Sequence, residues 1–393
     1  MLRNSSHIEA SEMPEIPVNG EVLKWARAIR GLTIDKAAEM LKISPEELRT
    51  YEAGLKKPLV GFLRLMAQKY RVNFASLLMP EPLPIPELPA DFRSSSDARP
   101  LTMKARLAIE EVEEWLDAFE DIADEHGSLV PAIEIGSASL NDDPIRLAER
   151  ERKRFGISFE EQREWENTSR ARNRWRNKIE ERGVFTYMIR MEMEELSGFS
   201  ILHDQLGAIC VNDNEPTEGR KIFTLFHEYC HLLLRKAGIS DENDSNGIEA
   251  FCNTFAGSFL VPENALRGVI GSEFRNLKVP HEFSSDQVRL LSRIFHVSNR
   301  AMAVRIEQTG LAEAGFYRRR TAPWDMPKAV PKLSKDKKKK ISQIKVRLKL
   351  LGKLHAATVL EALEHRAVNP SDASEMIGLR PASFDKLKKA VFG

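Results

Sequence analysis

The sequence predicts a mainly α-helical protein with a small antiparallel β-sheet, an α+β fold. Most of the chain shows the three-to-four-residue spacing of apolar side chains that is typical of helices. Only three short runs, between residues 183 and 212, have the character of strands. A length of 393 residues is two to three times the usual domain size, so we expect two or three domains.

Two proline-rich segments set the predicted domain boundaries. Residues 81–100 cannot sustain a helix or a central strand, and we assign them to a linker. Residues 318–340 form a second linker, which is also basic and contains the run Lys335–Lys340. The predicted domains are therefore residues 1–80, 101–317 and 341–393.

Composition excludes several classes of protein. The chain has no run of about 18 apolar residues and no apolar signal region near its start, so we expect neither a membrane span nor a signal peptide. Three widely spaced cysteines are too few for a disulfide scaffold. These features predict a cytoplasmic protein without a membrane partner.

The formal net charge of +1 hides an uneven distribution. Residues 21–72 contain eleven basic and six acidic side chains, and residues 321–393 contain sixteen basic and seven acidic ones. Basic segments attract the phosphates of nucleic acids. Any contact with nucleic acid is therefore expected at the two ends of the chain.

The N-terminal domain shows two short helices joined by a tight turn. Thr33 can cap a helix that runs from Ile34 to Leu41. Ser44 can cap the next helix, in which Pro45 takes the first position, where its missing N–H costs nothing. This is the spacing of a helix-turn-helix.

The same segment resembles the XRE type of helix-turn-helix found in phage repressors. The typical ending, E-x-G-x-x-x-P, is present as Glu52, Gly54 and Pro58. The resemblance implies binding of operator sites in double-stranded DNA, with the second helix in the major groove. The residues that we expect near DNA are Arg49, Thr50, Lys56 and Lys57.

Two features favour a different use of this domain. Glu46 and Glu47 lie on the helix that would enter the groove, where carboxylates repel phosphates. Ile34 stands where the family usually has glutamine. The alternative is a small helical module for protein contacts or dimerisation, and the sequence is compatible with a homodimer.

The central domain contains the pattern H-E-x-x-H. His227 and His231 are four residues apart, so on a helix both rings project from one face, which suits two ligands of one Zn²⁺. Glu228 lies beside the first ligand and can act as general base. The alternative for a buried helix is that both histidines are core residues hydrogen-bonded to backbone carbonyls.

A second predicted helix supplies further polar residues. Glu249 and Asn253 share one face of it, and Pro262 ends it. Glu249 can complete a His-His-Glu zinc site with an open fourth position, as in catalytic zinc sites. Asn253 is then expected to hydrogen-bond one of the metal ligands without itself contacting the metal. Cys230 adjoins His231, and we expect it to pack in the core.

These residues resemble the ImmA/IrrE family of zinc metallopeptidases, which have a zincin-like fold. The resemblance extends from about Phe92 to Tyr317 and includes three strands beside the site. Phe226 and Cys230 depart from the family pattern, which usually has a small residue and a glycine at these positions. The departure bears on the access of substrate to the site and not on metal binding. The matching residues around the site are Arg220, Phe223, Thr224, Leu225, Glu249, Asn253, Phe255, Ala256 and Pro262.

The resemblance implies a zinc-dependent peptidase that cleaves a protein substrate, often a transcriptional repressor in a stress or mobile-element response. One alternative is a transcription regulator or antitoxin-like factor whose central domain senses a metal, ligand or partner without proteolysis. A second alternative is a structural zinc domain with neither peptidase nor regulatory activity.

The C-terminal domain is predicted to be a short helical bundle. Residues 371–387 again show helix-turn-helix-like spacing, and together with the run Lys335–Lys340 they could attract nucleic acid without sequence preference. A packing or interaction role is the favoured alternative. No motif links His203, His281 or His296 to the metal ligands, so we expect these to be surface or core residues.

Overall fold

The computed structural model describes residues 16–84, 101–192, 196–235, 245–274, 277–321 and 342–393. Residues 1–109 and 110–393 form two compact units. The described residues are mainly helical with one small sheet, which confirms the predicted fold class. None of the described helices is long and apolar enough to cross a membrane.

Within residues 16–84, which the structure describes, the first unit contains four helices and a short 3-10 turn. The second and third helices begin where the sequence predicts, because the Thr33 hydroxyl accepts from Lys36 N and the Ser44 hydroxyl accepts from Glu47 N. Lys42 ends the second helix in the left-handed conformation. The bounds are α1 (Gly20–Ala28), α2 (Ile34–Leu41), α3 (Pro45–Glu52), α4 (Val60–Tyr70) and the 3-10 turn Ala75–Leu78.

A partly buried ion pair connects the first and third helices of this unit. Arg27 donates two hydrogen bonds to the Glu52 carboxylate, at 2.7 and 2.9 Å. Such bidentate pairs fix the orientation of both side chains. The glutamate of the helix-turn-helix ending therefore has a structural role here. The core around it is formed mainly by Val22, Leu23, Ala26, Ala37, Ala38, Leu41, Leu48, Leu63, Met66 and Tyr70.

The helix α5 (Met103–His126) runs across the boundary between the units, and a 3-10 turn follows at Gly127–Leu129. Three helices then precede the sheet: α6 (Pro144–Phe155), α7 (Phe159–Arg163) and α8 (Thr168–Glu180). In the described residues between the sheet and residue 321, six more helices follow. They are α9 (Glu218–Arg235), α10 (Ser245–Leu260), α11 (Glu263–Glu273), α12 (Ser285–Phe295), α13 (Asn299–Gln308) and α14 (Phe316–Thr321).

The sheet consists of β1 (Val184–Ile189), β2 (Gly198–His203) and β3 (Leu206–Asn212), in the order β1-β3-β2. The three predicted strands are present, but the sheet is mixed rather than wholly antiparallel. β2 and β3 form an antiparallel pair, whereas β1 runs parallel to β3. The spacing of apolar residues along the sequence predicts where strands occur. The order and direction of the strands depend on how the sheet packs against helices, and the spacing carries no information about that packing.

Helices pack against the sheet through apolar side chains. α9 packs on β2 and β3, and α8 and the C-terminal helix α15 (Gln343–Glu364) pack on β1. Phe185 on β1 stacks on Phe119 of α5, with ring centroids 4.6 Å apart. Tyr187 lies against His355 of α15, and its hydroxyl is 3.2 Å from His355 Nδ1. The sheet therefore supports α9 through β2 and β3, and the C-terminal segment through β1.

The C-terminal segment contains α15, α16 (Pro370–Ile377), a 3-10 turn at Pro381–Ser383 and α17 (Phe384–Phe392). α15 is broken at Gly352, which has φ +83° and ψ 173°. This conformation is accessible almost only to glycine. A Cβ at this position would lie 2.2 Å from Glu180 Oε1. The break in α15 therefore depends on glycine.

A buried ion pair of α8 fills the break. Arg176 Nε lies 3.2 Å from Glu180 Oε1, and both side chains are almost fully buried. The Arg176 guanidinium donates to the carbonyl oxygens of residues 348–350, which end the first half of α15. The Glu180 carboxylate accepts from the backbone N–H groups of Lys353 and Leu354, which start the second half. Each charged group thus satisfies backbone groups that a broken helix leaves without intrahelical partners.

The domain boundaries stay a prediction. The C-terminal helices belong to the same compact unit as residues 110–321. Most of the first proposed linker, and the run Lys335–Lys340 with most of the second, lie outside the described residues.

Candidate metal centre

Two buried helices carry the residues of the candidate metal centre. α9 packs most of its surface into the core of the second unit, through residues such as Leu225, Leu232 and Leu233. α10 packs against α9 through residues such as Phe255. This packing fixes both backbones, so polar side chains at their shared edge have defined positions.

His227, His231 and Glu249 converge at this edge. The two histidine Nε2 atoms are 3.1 Å apart, and each lies 3.2 Å from a different oxygen of the Glu249 carboxylate. Ligands held at about 2.0 to 2.2 Å from one Zn²⁺ ion are separated by distances of this size. Two imidazoles and one carboxylate are also the donors that catalytic zinc prefers. The residues therefore fit a zinc ion.

Asn253 holds the first of these histidines. Its Oδ1 lies 3.1 Å from His227 Nδ1, so the ring can donate there and keep Nε2 free for a metal. Partial burial opposes ionisation of Glu249, but hydrogen bonds from His227 and His231 outweigh it and hold the pKa of that carboxyl below its usual range. Glu249 is therefore a carboxylate, the form that binds cations.

Glu228 is buried beside the two histidines and is held by the sheet. Ser200 on β2 donates to Glu228 Oε2 at 3.1 Å. Gly198, on the same strand, permits this approach, because a Cβ there would lie 2.5 Å from Thr224 Cγ2 and 3.4 Å from Glu228 Cγ. The sequence does not single out Ser200. The serine lies on the same face of β2 as Gly198, and that alternation is the only local signal.

A cleft of about 620 Å³ opens onto the candidate centre. His227, Glu228 and Glu249 line one part of it. The remaining walls mix apolar and basic side chains from α9, α13 and α14. Among them are Arg220, Phe223, Arg300, Val304 and Tyr317. Arg300 lies over the Tyr317 ring, 5.4 Å from its centroid. The cleft has room for a short stretch of polypeptide beside the glutamate.

Among the described residues, one other group of histidine and carboxylate side chains could hold an ion. His203 Nε2 is 2.8 Å from Glu113 Oε2, and its Nδ1 faces Asp117 and Glu120 at 3.8 and 3.5 Å. The hydrogen bond with Glu113 outweighs partial burial and raises the pKa of His203. A protonated His203 paired with these carboxylates accounts for the group.

The residues proposed to contact DNA lie on or after α3 in the first unit. Arg49 pairs with Glu46 at 3.3 Å, and Lys56 pairs with Glu47 at 2.5 Å. The two acidic side chains lie in the first turn of α3, where carboxylates stabilise the helix dipole. Thr50 donates its hydroxyl hydrogen to the Glu47 carbonyl, so in this arrangement it cannot donate to a phosphate.

Comparison with family models matches two parts of the chain. Residues 23–77 match a helix-turn-helix family, and residues 179–307 match a peptidase family described as the IrrE N-terminal-like domain. Searches of curated proteins and of solved structures gave no significant match. The chain therefore fuses a helix-turn-helix domain to an IrrE-like domain, which confirms the resemblance to this fusion.

Proposed function

We propose that the protein is a zinc-dependent peptidase attached to a DNA-binding domain, and that its substrate is a protein such as a transcriptional repressor. The observation that carries this proposal is that Glu228 lines the same cleft as His227 and Glu249, two of the three converging side chains that could hold an ion. A structural zinc site usually has four protein ligands and no such cleft. The IrrE-like domain supports the same proposal.

The chemistry follows from the positions of these side chains. Zn²⁺ bound by His227, His231 and Glu249 would lower the pKa of a water molecule and polarise the substrate carbonyl. Glu228 accepts the proton that the attacking water loses and passes it to the leaving amine. Ser200 keeps the Glu228 carboxylate oriented toward the cleft that it lines.

The zinc content of the purified protein tests the site. We expect one zinc ion per chain, because one convergent set of two imidazoles and a carboxylate is present in the described part of the chain. The double variant His227→Ala with His231→Ala is expected to hold none. His203→Ala is the matched control, since it removes a histidine from the second group of possible ligands, which His203 forms with Glu113 and Asp117. Elemental analysis after chelator-free purification measures all three, and undiminished zinc in the double variant contradicts the site.

We further propose that the first unit binds operator DNA through Arg49, Lys56 and Lys57. The helix-turn-helix family supports DNA binding. In the free protein, the carboxylates of Glu46 and Glu47 neutralise the positive charges of Arg49 and Lys56. Contact with phosphates or bases must therefore replace these exposed ion pairs, which are individually weak.

Substitution of these residues is expected to weaken operator recognition. Arg49→Ala should reduce discrimination by about 1 to 3 kcal/mol if its guanidinium reads a base. Lys56→Ala should weaken binding to all sequences and lower its salt dependence. Lys69→Ala, an exposed lysine on α4, is the control. Binding to fragments that include the protein's own promoter, at two salt concentrations, measures both effects. Full operator preference in a chain without residues 1–80 would refute the assignment.

A further inference from the structure

The last two helices of the chain, α16 and α17, repeat the local structure of the helix-turn-helix in the first unit. α16 has eight residues, as α2 does. The residue before each of the two helices is extended, and its side chain accepts a hydrogen bond from the first turn: Thr33 caps α2, and Asn369 caps α16. The C-terminal pair lies outside both segments that match a family model.

The turns between the helices also match. Lys42 (φ 60°, ψ 41°) and Gly378 (φ 66°, ψ 34°) follow their helices in the left-handed conformation. In both cases the backbone N–H of that residue donates to the carbonyls three and four positions before it. Two residues later the backbone is extended, with ψ 151° at Ser44 and ψ 146° at Arg380. A proline then starts the second helix, which in the C-terminal pair begins as a 3-10 turn.

The buried side chains take equivalent positions in the two pairs. Each pair buries an alanine in the middle of its first helix, an aliphatic residue at the end of that helix, and two large residues on its second helix. The counterparts are Ala37 and Ala373, Leu41 and Ile377, Leu48 and Phe384, and Tyr51 and Leu387. An ion pair also joins each second helix to the helix on which it packs: Glu52 to Arg27 of α1, and Lys388 to Glu364 of α15. The C-terminal pair therefore has the conformation and core of a helix-turn-helix.

The outer surface of the second helix differs in charge between the two pairs. In α3, the two positions after the proline carry Glu46 and Glu47, whose carboxylates repel phosphates. The same two positions in the C-terminal pair carry Ala382 and Ser383, which are uncharged. Asp385 is the single acidic residue from 381 to 392. The C-terminal pair therefore lacks the two carboxylates that oppose DNA binding by α3.

Three cations lie before and along α17. Arg380, Lys386 and Lys389 are exposed, and no carboxylate in the described part of the chain pairs with any of them. In the first unit, by contrast, carboxylates neutralise two of the cations proposed to contact DNA. Asp372 and Glu375 are exposed on α16, the helix that lies outside the groove in such pairs. The charge of the second helix therefore favours phosphates in the free protein.

We propose that α16 and α17 form a second DNA-binding helix-turn-helix, with α17 in the major groove of double-stranded DNA. Residues near the start of the second helix meet base edges in this docking mode, and Ser383 and Lys386 lie there, three positions apart on one face. Arg380 and Lys389 are placed to contact phosphates on either side. The inference rests neither on the zinc site nor on DNA binding by the first unit.

DNA binding by the full chain tests the inference. The double variant Lys386→Ala with Lys389→Ala is expected to bind its selected DNA about tenfold or more weakly at 0.15 M salt. The slope of log affinity against log salt should fall by about two, one for each lysine. Lys278→Ala with Lys353→Ala is the matched control, because it removes two exposed lysines of the same unit that lie outside α16 and α17. Circular dichroism checks that both variants are folded.

The DNA is chosen so that the first unit does not dominate the result. Duplexes are selected from a random pool by the full chain carrying Arg49→Ala and Lys56→Ala. Dimethyl sulfate then methylates guanine N7, which lies in the major groove. Guanines protected by this chain are expected to become reactive when Lys386→Ala is added and to stay protected when Lys278→Ala is added. An RNA duplex of the same sequence serves as the second probe, because side chains cannot read its deep, narrow major groove.

Three results would overturn the inference. They are an unchanged affinity and salt slope in the double variant, an equal loss of affinity for the RNA duplex, and the absence of any protection that depends on Lys386. Loss of binding to the protein's own promoter in Arg49→Ala with Lys56→Ala, but not in Lys386→Ala with Lys389→Ala, would support the first unit alone. The two DNA-binding proposals therefore fail separately.

Discussion

Replacing Glu228 with glutamine is expected to lower peptide cleavage by about 10²- to 10⁴-fold, the range attributed to general acid–base catalysis. Glutamine has the size of glutamate, and its amide oxygen can still accept the hydrogen bond from Ser200. It cannot take up the proton of the attacking water. Zinc content is expected to stay at the wild-type level, because Glu228 is not one of the three convergent ligands.

The measurement combines a quenched-fluorescent peptide library with mass spectrometry of candidate repressor proteins. Glu218→Gln serves as control, because it removes a carboxylate from the first turn of the same helix, where Glu218 pairs with Arg172. It should cleave close to the wild-type rate. If Glu228→Gln does not differ from the wild type in repressor processing or in promoter regulation, the peptidase proposal fails. If neither protein cleaves any candidate, the alternative of a regulator whose IrrE-like domain senses a metal, ligand or partner is favoured.

Substituting Gly352 with alanine is expected to lower the free energy of unfolding by about 3 kcal/mol or more. One part of the loss is backbone strain, since φ at this position is +83°. The other part arises because the added methyl group would displace the Glu180 carboxylate from Lys353 N and Leu354 N. A buried charge that loses its partners is strongly destabilising.

Urea denaturation followed by circular dichroism measures this change. Gly271→Ala is the matched control, because Gly271 lies in α11 with open space around it and without a positive φ. Alanine there should be neutral or stabilising by about 0.5 to 1 kcal/mol. A Gly352→Ala variant as stable as the wild type would show that the break in α15 does not depend on glycine.

Local spacing was enough to predict the convergent residues. His227, Glu228 and His231 lie on one helix, and Glu249 and Asn253 lie on another, so the periodicity of each helix determines which side chains share a face. The caps at Thr33 and Ser44 were predictable for the same reason, because a cap acts on residues two or three positions away.

Contacts between distant segments could not be predicted in this way. Ser200 meets Glu228 because β2 packs on α9, and a serine in a strand has no spacing that indicates this role. The parallel pairing of β1 with β3, and the docking of α15 on β1, likewise depend on the three-dimensional arrangement.

The ion pair of α8 that fills the break in α15 also affects folding during synthesis. Arg176 reaches the carbonyl of Lys349, which lies 173 residues later in the chain. At a translation rate of about 5 to 20 residues per second, the ribosome needs roughly 10 to 35 s to add this stretch. During that time β1 has left the ribosome while Arg176 and Glu180 still lack their backbone partners. The IrrE-like region therefore reaches its final packing only after residues 348–354 have been added, and until then β1 lacks the cover of α15.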